Sequence, residues 1–231
     1  MTSPLPDLSR AKAVFLDAGG TLFRPYPSVG EVYAEVAGRH GLPVDPQKVE
    51  EFFHEIWQKR DGYANPSTKK EEKTWWRILV REVFSQLGEV KNFDVFFEEL
   101  YDRFARPETW KLFPDTVPAL QGLKKNGKIL GVVSNWDERL FGICEGLGLN
   151  PYLDFILASG VVGAAKPSPE IFKEALRRAG VGPEEAVHVG DSLEDDVLGA
   201  QGVGIPAIFL DRKGNRRSST PTISTLQFLC R

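Results

Sequence analysis

Four short stretches of this chain carry side chains suited to one reaction, and each follows or closes an apolar run. AVFLDAGGTLF (13–23) stops at Asp17 and passes into Gly19, Gly20 and Thr21. ILGVVSN (129–135) ends in Ser134 and Asn135, and Lys166 opens KPSPEIF just after the run FILAS. AVHVGDSLEDD (186–196) ends in Asp191, with Glu194, Asp195 and Asp196 close behind. An aspartate can attack phosphorus and form an acyl phosphate. Asp17 with the acids after residue 190 makes a hard oxygen-ligand set suited to Mg2+, which neutralises phosphate charge. Ser134, Asn135 and the backbone amides after Asp17 suit the non-bridging oxygens, and Lys166 supplies an opposing positive charge. Taken singly, each stretch has a plainer reading: a turn at Asp17, a strand-end turn at Ser134-Asn135, a surface loop at Lys166-Pro167, and an acidic helix start in GDSLEDD. Their order along the chain is what favours a shared site.

The elements that must position these residues fall into two textures. From Ser28 to about Arg106 the pattern is helical: Ser28 with Glu31 forms a capping box before EVYAEVAGRH, Asp45-Pro46 opens QKVEEFFHEIWQKR, Thr68 with Glu71 forms a second box before KTWWRILVREVFSQLG, and a fourth apolar repeat covers 93–104. From Pro114 onward apolar runs alternate with amphipathic helices: a helix over 116–125, strands at 129–135, 155–159, 186–191 and 206–210, and helices from about 138, at 169–179 and near 195–202. That alternation indicates an α/β unit with a parallel sheet covered on both faces. The run at 13–17 belongs with it, so the core is residues 1–23 and 109–231, and 24–108 is an all-helical insertion. TISTLQFL near the end is expected to form a last turn of helix on the core. In such a sheet the ligand site lies beyond the carboxyl ends of the strands, where all four stretches converge.

At these residues the sequence resembles the haloacid dehalogenase superfamily of hydrolases. The strand ending Asp-x-Asp-x-Thr in that family is matched by Asp17-Ala18-Gly19-Gly20-Thr21 except at its third position; Ser134 in VVSN, Lys166 in KPSPEIF, and Gly190-Asp191 with Asp195 or Asp196 match the second, third and fourth motifs. The resemblance implies a Rossmann-like core, a mobile helical cap, Mg2+, and phosphatase activity on a small phosphorylated metabolite. It makes Asp17 the nucleophile and a metal ligand, and Thr21, Ser134 and Asn135 substrate-binding. It has Lys166 steadying the charge, and Asp191 with Asp196 holding the metal together with the Gly19 carbonyl. The GDSxxxD pattern favours Asp196 over Asp195, although spacing alone leaves both open.

In the family's phosphatases the position of Gly19 supplies a carboxyl that protonates the leaving group and deprotonates the attacking water, and a positioned acid/base is worth about 10²–10⁴ in rate. Glycine has none. One reading is a phosphatase for a substrate with a good leaving group, such as an acyl phosphate, or one that borrows an acid from its cap, with His40, His54, Glu55 and Asp61 as candidates. A second is a dehalogenase- or phosphonatase-like C–X hydrolase. Three acids beside a haloacid carboxylate count against the former, and the latter needs a lysine from among Lys48, Lys59, Lys69, Lys70 and Lys73. A third is a weakly active or non-catalytic binding protein. Phe52, Phe53, Trp57, Trp75 and Trp76 read mostly as cap core.

A formal charge of −3 gives no footprint for nucleic acid, and the one basic cluster, 212–217, reads as a solvated loop. Cys144 and Cys230 match no metal-ligand spacing, and no apolar stretch approaches the ~18 residues of a membrane span. The chain is therefore expected to be cytoplasmic, with a small molecule as its partner and no membrane association.

Overall fold

A computed structural model describes residues 4–59, 68–214 and 219–230. Asp61, Arg216 and Arg217 lie outside the described residues, as does the side chain of Lys69. In chain order the strands are β1 (Ala13–Leu16), β2 (Phe23–Pro25), β3 (Trp110–Leu112), β4 (Ile129–Ser134), β5 (Phe155–Ala158), β6 (Ala186–Gly190), β7 (Ala207–Leu210) and β8 (Thr222–Ile223). The helices are α1 (Val29–Arg39), α2 (Pro46–Lys59), α3 (Lys69–Ser85), α4 (Phe93–Arg103), α5 (Thr116–Lys125), α6 (Arg139–Gly146), α7 (Ser159–Val162) and α8 (Pro169–Ala179).

Six strands form a parallel sheet in the order β5-β4-β1-β6-β7-β8. The apolar runs that bury both faces explain it. Val14 and Leu16 of β1 pack with Leu120, Leu123 and Ile143 of α5 and α6, whereas Ala13 and Phe15 pack with Ile171, Phe172 and Ala175 of α8. The chain leaves β1 for β4 on one side, while β6 pairs on the other, so the carboxyl end of β1 is a switch point of the kind where α/β sheets bind ligands.

Helices α1 to α4 bury their own apolar stripe, centred on Val32, Val36, Phe53, Val83, Phe84, Phe96 and Phe97, with Trp57, Trp75 and Trp76 packed against it. Thr68 and Glu71 form the expected reciprocal box at the start of α3; Ser28 accepts from the Glu31 N–H at the start of α1. Two features differ from the sequence reading. The segment 222–230 supplies β8, paired with β7, before a 3₁₀ turn at Leu226–Cys230 buries Leu226 and Leu229. The helix expected near 195–202 opens as a π-helical stretch, Leu193–Leu198.

The linkers into and out of the helical layer pair with each other, β2 antiparallel to β3, with Phe23 opposite Leu112 and Pro25 opposite Trp110. A second junction lies beyond β4. Asp137, fully buried, accepts hydrogen bonds from the Tyr101 hydroxyl of α4 and from Arg139 Nε at 2.8 Å. The Arg139 guanidinium lies 3.6 Å from the centroid of the Tyr101 ring and 3.8 Å from Oε1 of Glu72 on α3. One guanidinium thus serves two carboxylates. Burial and the Asp137 charge push the Glu72 carboxyl up to about 7 against the pull of Arg139 and its Trp76 hydrogen bond.

Because the folded form holds the Glu72 proton more tightly than the unfolded chain, Glu72 makes stability fall as pH rises from about 4.5 to about 7, by about 3 kcal/mol over that window. Glu72→Gln is expected to remove that slope in urea unfolding curves recorded across pH 4.5–8; a wild-type slope retained in the variant excludes Glu72 as its source.

Candidate active site

The three carboxylates predicted from sequence meet at the end of β1. Oxygens of Asp17, Asp191 and Asp196 lie within 4.8 Å of one another. Asp17 is carried out of β1 by a backbone bond from its N–H to the Val189 carbonyl (3.0 Å) of the neighbouring β6. Asp191 comes within reach because Gly20, at φ +82°, has no Cβ; a methyl there would lie 2.3 Å from Asp191 Oδ2. Asp196 folds back on the π-helical stretch over Gly190, where an added Cβ would sit 2.1 Å from its carboxyl carbon. Asp196, not Asp195, therefore belongs to the cluster.

Lys166 is 2 % exposed, and its Nζ lies 2.6 Å from Asp17 Oδ1 and 2.6 Å from Asp196 Oδ1. Its backbone is clamped by one amide: Asn135 Oδ1 accepts from the Lys166 N–H (2.7 Å), and Asn135 Nδ2 donates to the Lys166 carbonyl (2.9 Å). Asn135, expected to bind substrate, commits both ends of its side chain to holding Lys166. Ser134 Oγ donates to the same Asp17 Oδ1 at 2.9 Å, so both described bonds to the Asp17 carboxylate fall on one oxygen.

Thr21 is fully buried; its hydroxyl has no hydrogen-bond partner among the described residues, while its carbonyl accepts from Arg212 at 2.7 Å. Arg212 also bonds Asp115 Oδ2 (3.0 Å) and lies over Phe113, so the first residue of the basic cluster is not a solvated loop charge but a brace on the loop after β1. Thr116 Oγ1 adds a bond to the Leu22 carbonyl at 2.6 Å.

Electrostatics follow from the crowding. Burial and the neighbouring Asp17 and Asp196 push Asp191 up to about 8. Burial also raises Asp17, with Lys166 opposing and Asp196 adding to the rise. Asp196 goes the other way: burial is outweighed by Lys166 and by His188, whose Nε2 lies 2.8 Å from Asp196 Oδ1, and its carboxyl is held below the usual range. Three carboxylates against one ammonium leave two negative charges when all are ionised. An all-oxygen donor set with that excess fits a divalent cation. Asp17 and Asp191 are the better placed ligands, since Asp196 already accepts from Lys166, His188 and the Ser192 N–H (3.0 Å).

Gly19 lies on the loop between Asp17 and Gly20, and the direction its side chain would take is filled: an added Cβ meets the Trp136 indole carbon Cζ3 at 3.1 Å. Of the acids suggested from the cap, Asp61 lies outside the described residues and the other three are engaged in ion pairs. His40 pairs with Glu99 at 2.7 Å, His54 with Glu50 at 3.2 Å and Glu55 with Lys59 at 2.6 Å, all within the helical layer. Among the suggested lysines, Lys73 pairs with Glu98 across α3 and α4. Trp136, His188 and Arg212 escaped sequence reasoning. Each is an ordinary residue of its element until the fold brings it to the cluster, although a histidine inside the apolar run AVHVG was a usable signal.

A parallel sheet whose first strand ends in a buried aspartate, braced by a buried lysine and faced by two further carboxylates, is the arrangement of a hydrolase with an α/β fold. The sequence model for haloacid dehalogenase-like hydrolases matches residues 11–204, and the chain belongs to that family. It is 38% identical over 194 residues to the mouse protein named haloacid dehalogenase-like hydrolase domain-containing protein 3, covering 82% of this chain and 77% of that one. Among solved structures it resembles a phosphatase of the family from Thermococcus onnurineus (32% identity, TM-score 0.67, 94% of this chain and 95% of that one). It also resembles a 2-haloacid dehalogenase from Pseudomonas syringae (31% identity, TM-score 0.62, 95% and 96%). No helix among the described residues is long and apolar enough to cross a membrane.

Removing the ammonium leaves Asp17 and Asp196 buried without their shared partner, and breaking a buried pair from one side costs about 3–5 kcal/mol. Lys166→Met is expected to lose stability of that order in guanidinium unfolding at pH 7 in EDTA, and to recover much of it at low pH, where the carboxylates are neutral. An unchanged midpoint would contradict the charge balance described here.

Proposed function

We propose that the chain is a Mg2+-dependent phosphatase of small phosphorylated molecules that works through an aspartyl phosphate on Asp17. The observation that carries this reading is the Lys166 ammonium held 2.6 Å from both Asp17 and Asp196 within a three-carboxylate cluster. The arrangement suits a dianionic substrate only if the surplus negative charge is met by a cation. Asp17 and Asp191, with Asp196 beside them, would hold Mg2+, which would supply that charge and neutralise the phosphoryl oxygens.

The chain's own groups then divide the work. Ser134 and Lys166 both engage Asp17 Oδ1, which fixes the carboxylate plane and leaves Oδ2 to attack phosphorus. Lys166 offsets charge gathering on the reacting oxygens. The Ala18 and Gly19 N–H groups and the Thr21 hydroxyl, which has no partner among the described residues, are suited to phosphoryl oxygens. Asn135 acts by keeping Lys166 in place. The helical layer 24–108 serves as the cap that excludes water over β1 and β4.

The acidic cluster speaks against a haloacid substrate, whose own carboxylate it repels. The test is a panel of phosphorylated metabolites, with 2-chloropropionate alongside, assayed for phosphate and halide release in Mg2+ or EDTA. Phosphate release is expected from wild type in Mg2+, a fall of at least ~10³ in Asp17→Asn, and a Mg2+-dependent rise in Tm that Asp191→Asn abolishes. Halide release without phosphate release would replace this reading with the dehalogenase one.

A further inference from the structure

An aromatic ring lies against Gly19, two residues past Asp17. Trp136 follows Ser134 and Asn135 out of β4, and its ring lies against Gly19, with Cζ3 at 3.1 Å and Cη2 at 3.7 Å from the place of a side chain there. That ring cannot readily step aside. It packs edge-on against Phe23 and Trp110, with centroids 5.8 and 5.0 Å away. Its backbone is tied on both sides, the N–H to Ser159 Oγ at 3.1 Å and the carbonyl to the Gly160 N–H at 2.9 Å. The ionisable groups of the cluster, Asp17, Asp191, Asp196 and Lys166, all contact or crowd the nucleophile itself. Glu72, an acid the helical layer carries at its junction with the core, is engaged with Arg139 there.

We infer that the site selects phosphoryl donors whose leaving group departs as a stable anion, acyl or aryl phosphates, and that Trp136 is the residue that sets this selectivity. The inference rests on the phosphatase reading. In the first step Asp17 Oδ2 forms the bond to phosphorus, the P–O bond to the leaving group breaks, and the carboxylate or phenolate leaves with the electron pair and takes up no proton. In the second, water attacks the phosphorus of the aspartyl phosphate, the P–O bond to Asp17 breaks, and the water's proton stays on a phosphoryl oxygen. The products are dihydrogen phosphate and the regenerated Asp17 carboxylate. Neither step calls on a side chain at position 19. An alkoxide leaving group does need a proton, and neither Gly19 nor the indole against it carries a carboxyl to give one. A flat aryl or short acyl group fits against an indole.

The experiment measures kcat/KM in Mg2+ for acetyl phosphate, 4-nitrophenyl phosphate, phenyl phosphate and glycerol 3-phosphate, with wild type, Asp17→Asn, Glu72→Gln, Gly19→Asp and Gly19→Asp/Trp136→Ala. Wild type is expected to favour acetyl and 4-nitrophenyl phosphate over glycerol 3-phosphate by at least ~10²-fold, the lower end of what a positioned acid supplies. The double variant is expected to narrow that gap at least ~10-fold more than Gly19→Asp alone, because the new carboxyl needs the indole's space. A readout independent of turnover comes from thermal unfolding: Gly19→Ala should lower Tm in wild type and much less in a Trp136→Ala background. Glycerol 3-phosphate turned over within ~10-fold of acetyl phosphate by wild type, or a preference that sharpens in Glu72→Gln, overturns the inference while leaving the phosphatase reading intact. No phosphate release from any substrate beyond that of Asp17→Asn overturns both.

Discussion

The short contacts from one ammonium, Lys166, to two buried carboxylates are the constraint on which the rest depends. Left alone, Asp17 and Asp196 would repel each other in a setting that penalises each charge. With Lys166 between them the two carboxylates are held in one arrangement. Much of the neighbouring sequence exists to hold that ammonium still: Asn135 clamps its backbone from β4, His188 steadies Asp196 from β6, and the π-helical stretch turns Asp196 back over Gly190. Three strands and a loop far apart in the chain are thereby committed to one small volume.

How much of this the sequence disclosed follows from where information is local. A continuous apolar run ending in a polar side chain identifies a buried parallel strand and its carboxyl end without further knowledge, so Asp17, Ser134 and Asp191 could be placed on one rim before any coordinates. Helix starts at Ser28 and Thr68 were legible for the same reason, since a cap lies within three residues of what it caps. Strands of two or three residues, FRP, WKL and TI, carry no period and were missed. Arg212 looked solvated because its partners, Thr21 and Asp115, lie 191 and 97 residues away. Asn135 was assigned to substrate on its type, and only its contacts showed that its amide is committed to Lys166.

Beyond β4 the helical layer and the core meet through the same device as the site, one cation shared by two acids. Apolar packing builds each of them internally, whereas their junction beyond β4 relies on Asp137, Arg139, Tyr101 and Glu72, with two acids sharing one guanidinium. Such a junction is held by few, directional contacts and responds to proton concentration, where a greasy one would not. It is also placed next to Trp136 in sequence, so the loop that contacts the helical layer is the loop whose indole lies against Gly19.

The pairing of β2 with β3 gives that placement a mechanical meaning. Two covalent crossings joined by a ladder behave as a single strap: they can twist or bend together, but one cannot slide past the other without giving up its register. Trp110 and Phe23, one from each crossing, grip the Trp136 indole from above, and the indole rests on Gly19. The strap and the site are thus joined through one ring, held between Phe23, Trp110 and the glycine. The residue without a side chain leaves that ring its place in the strap.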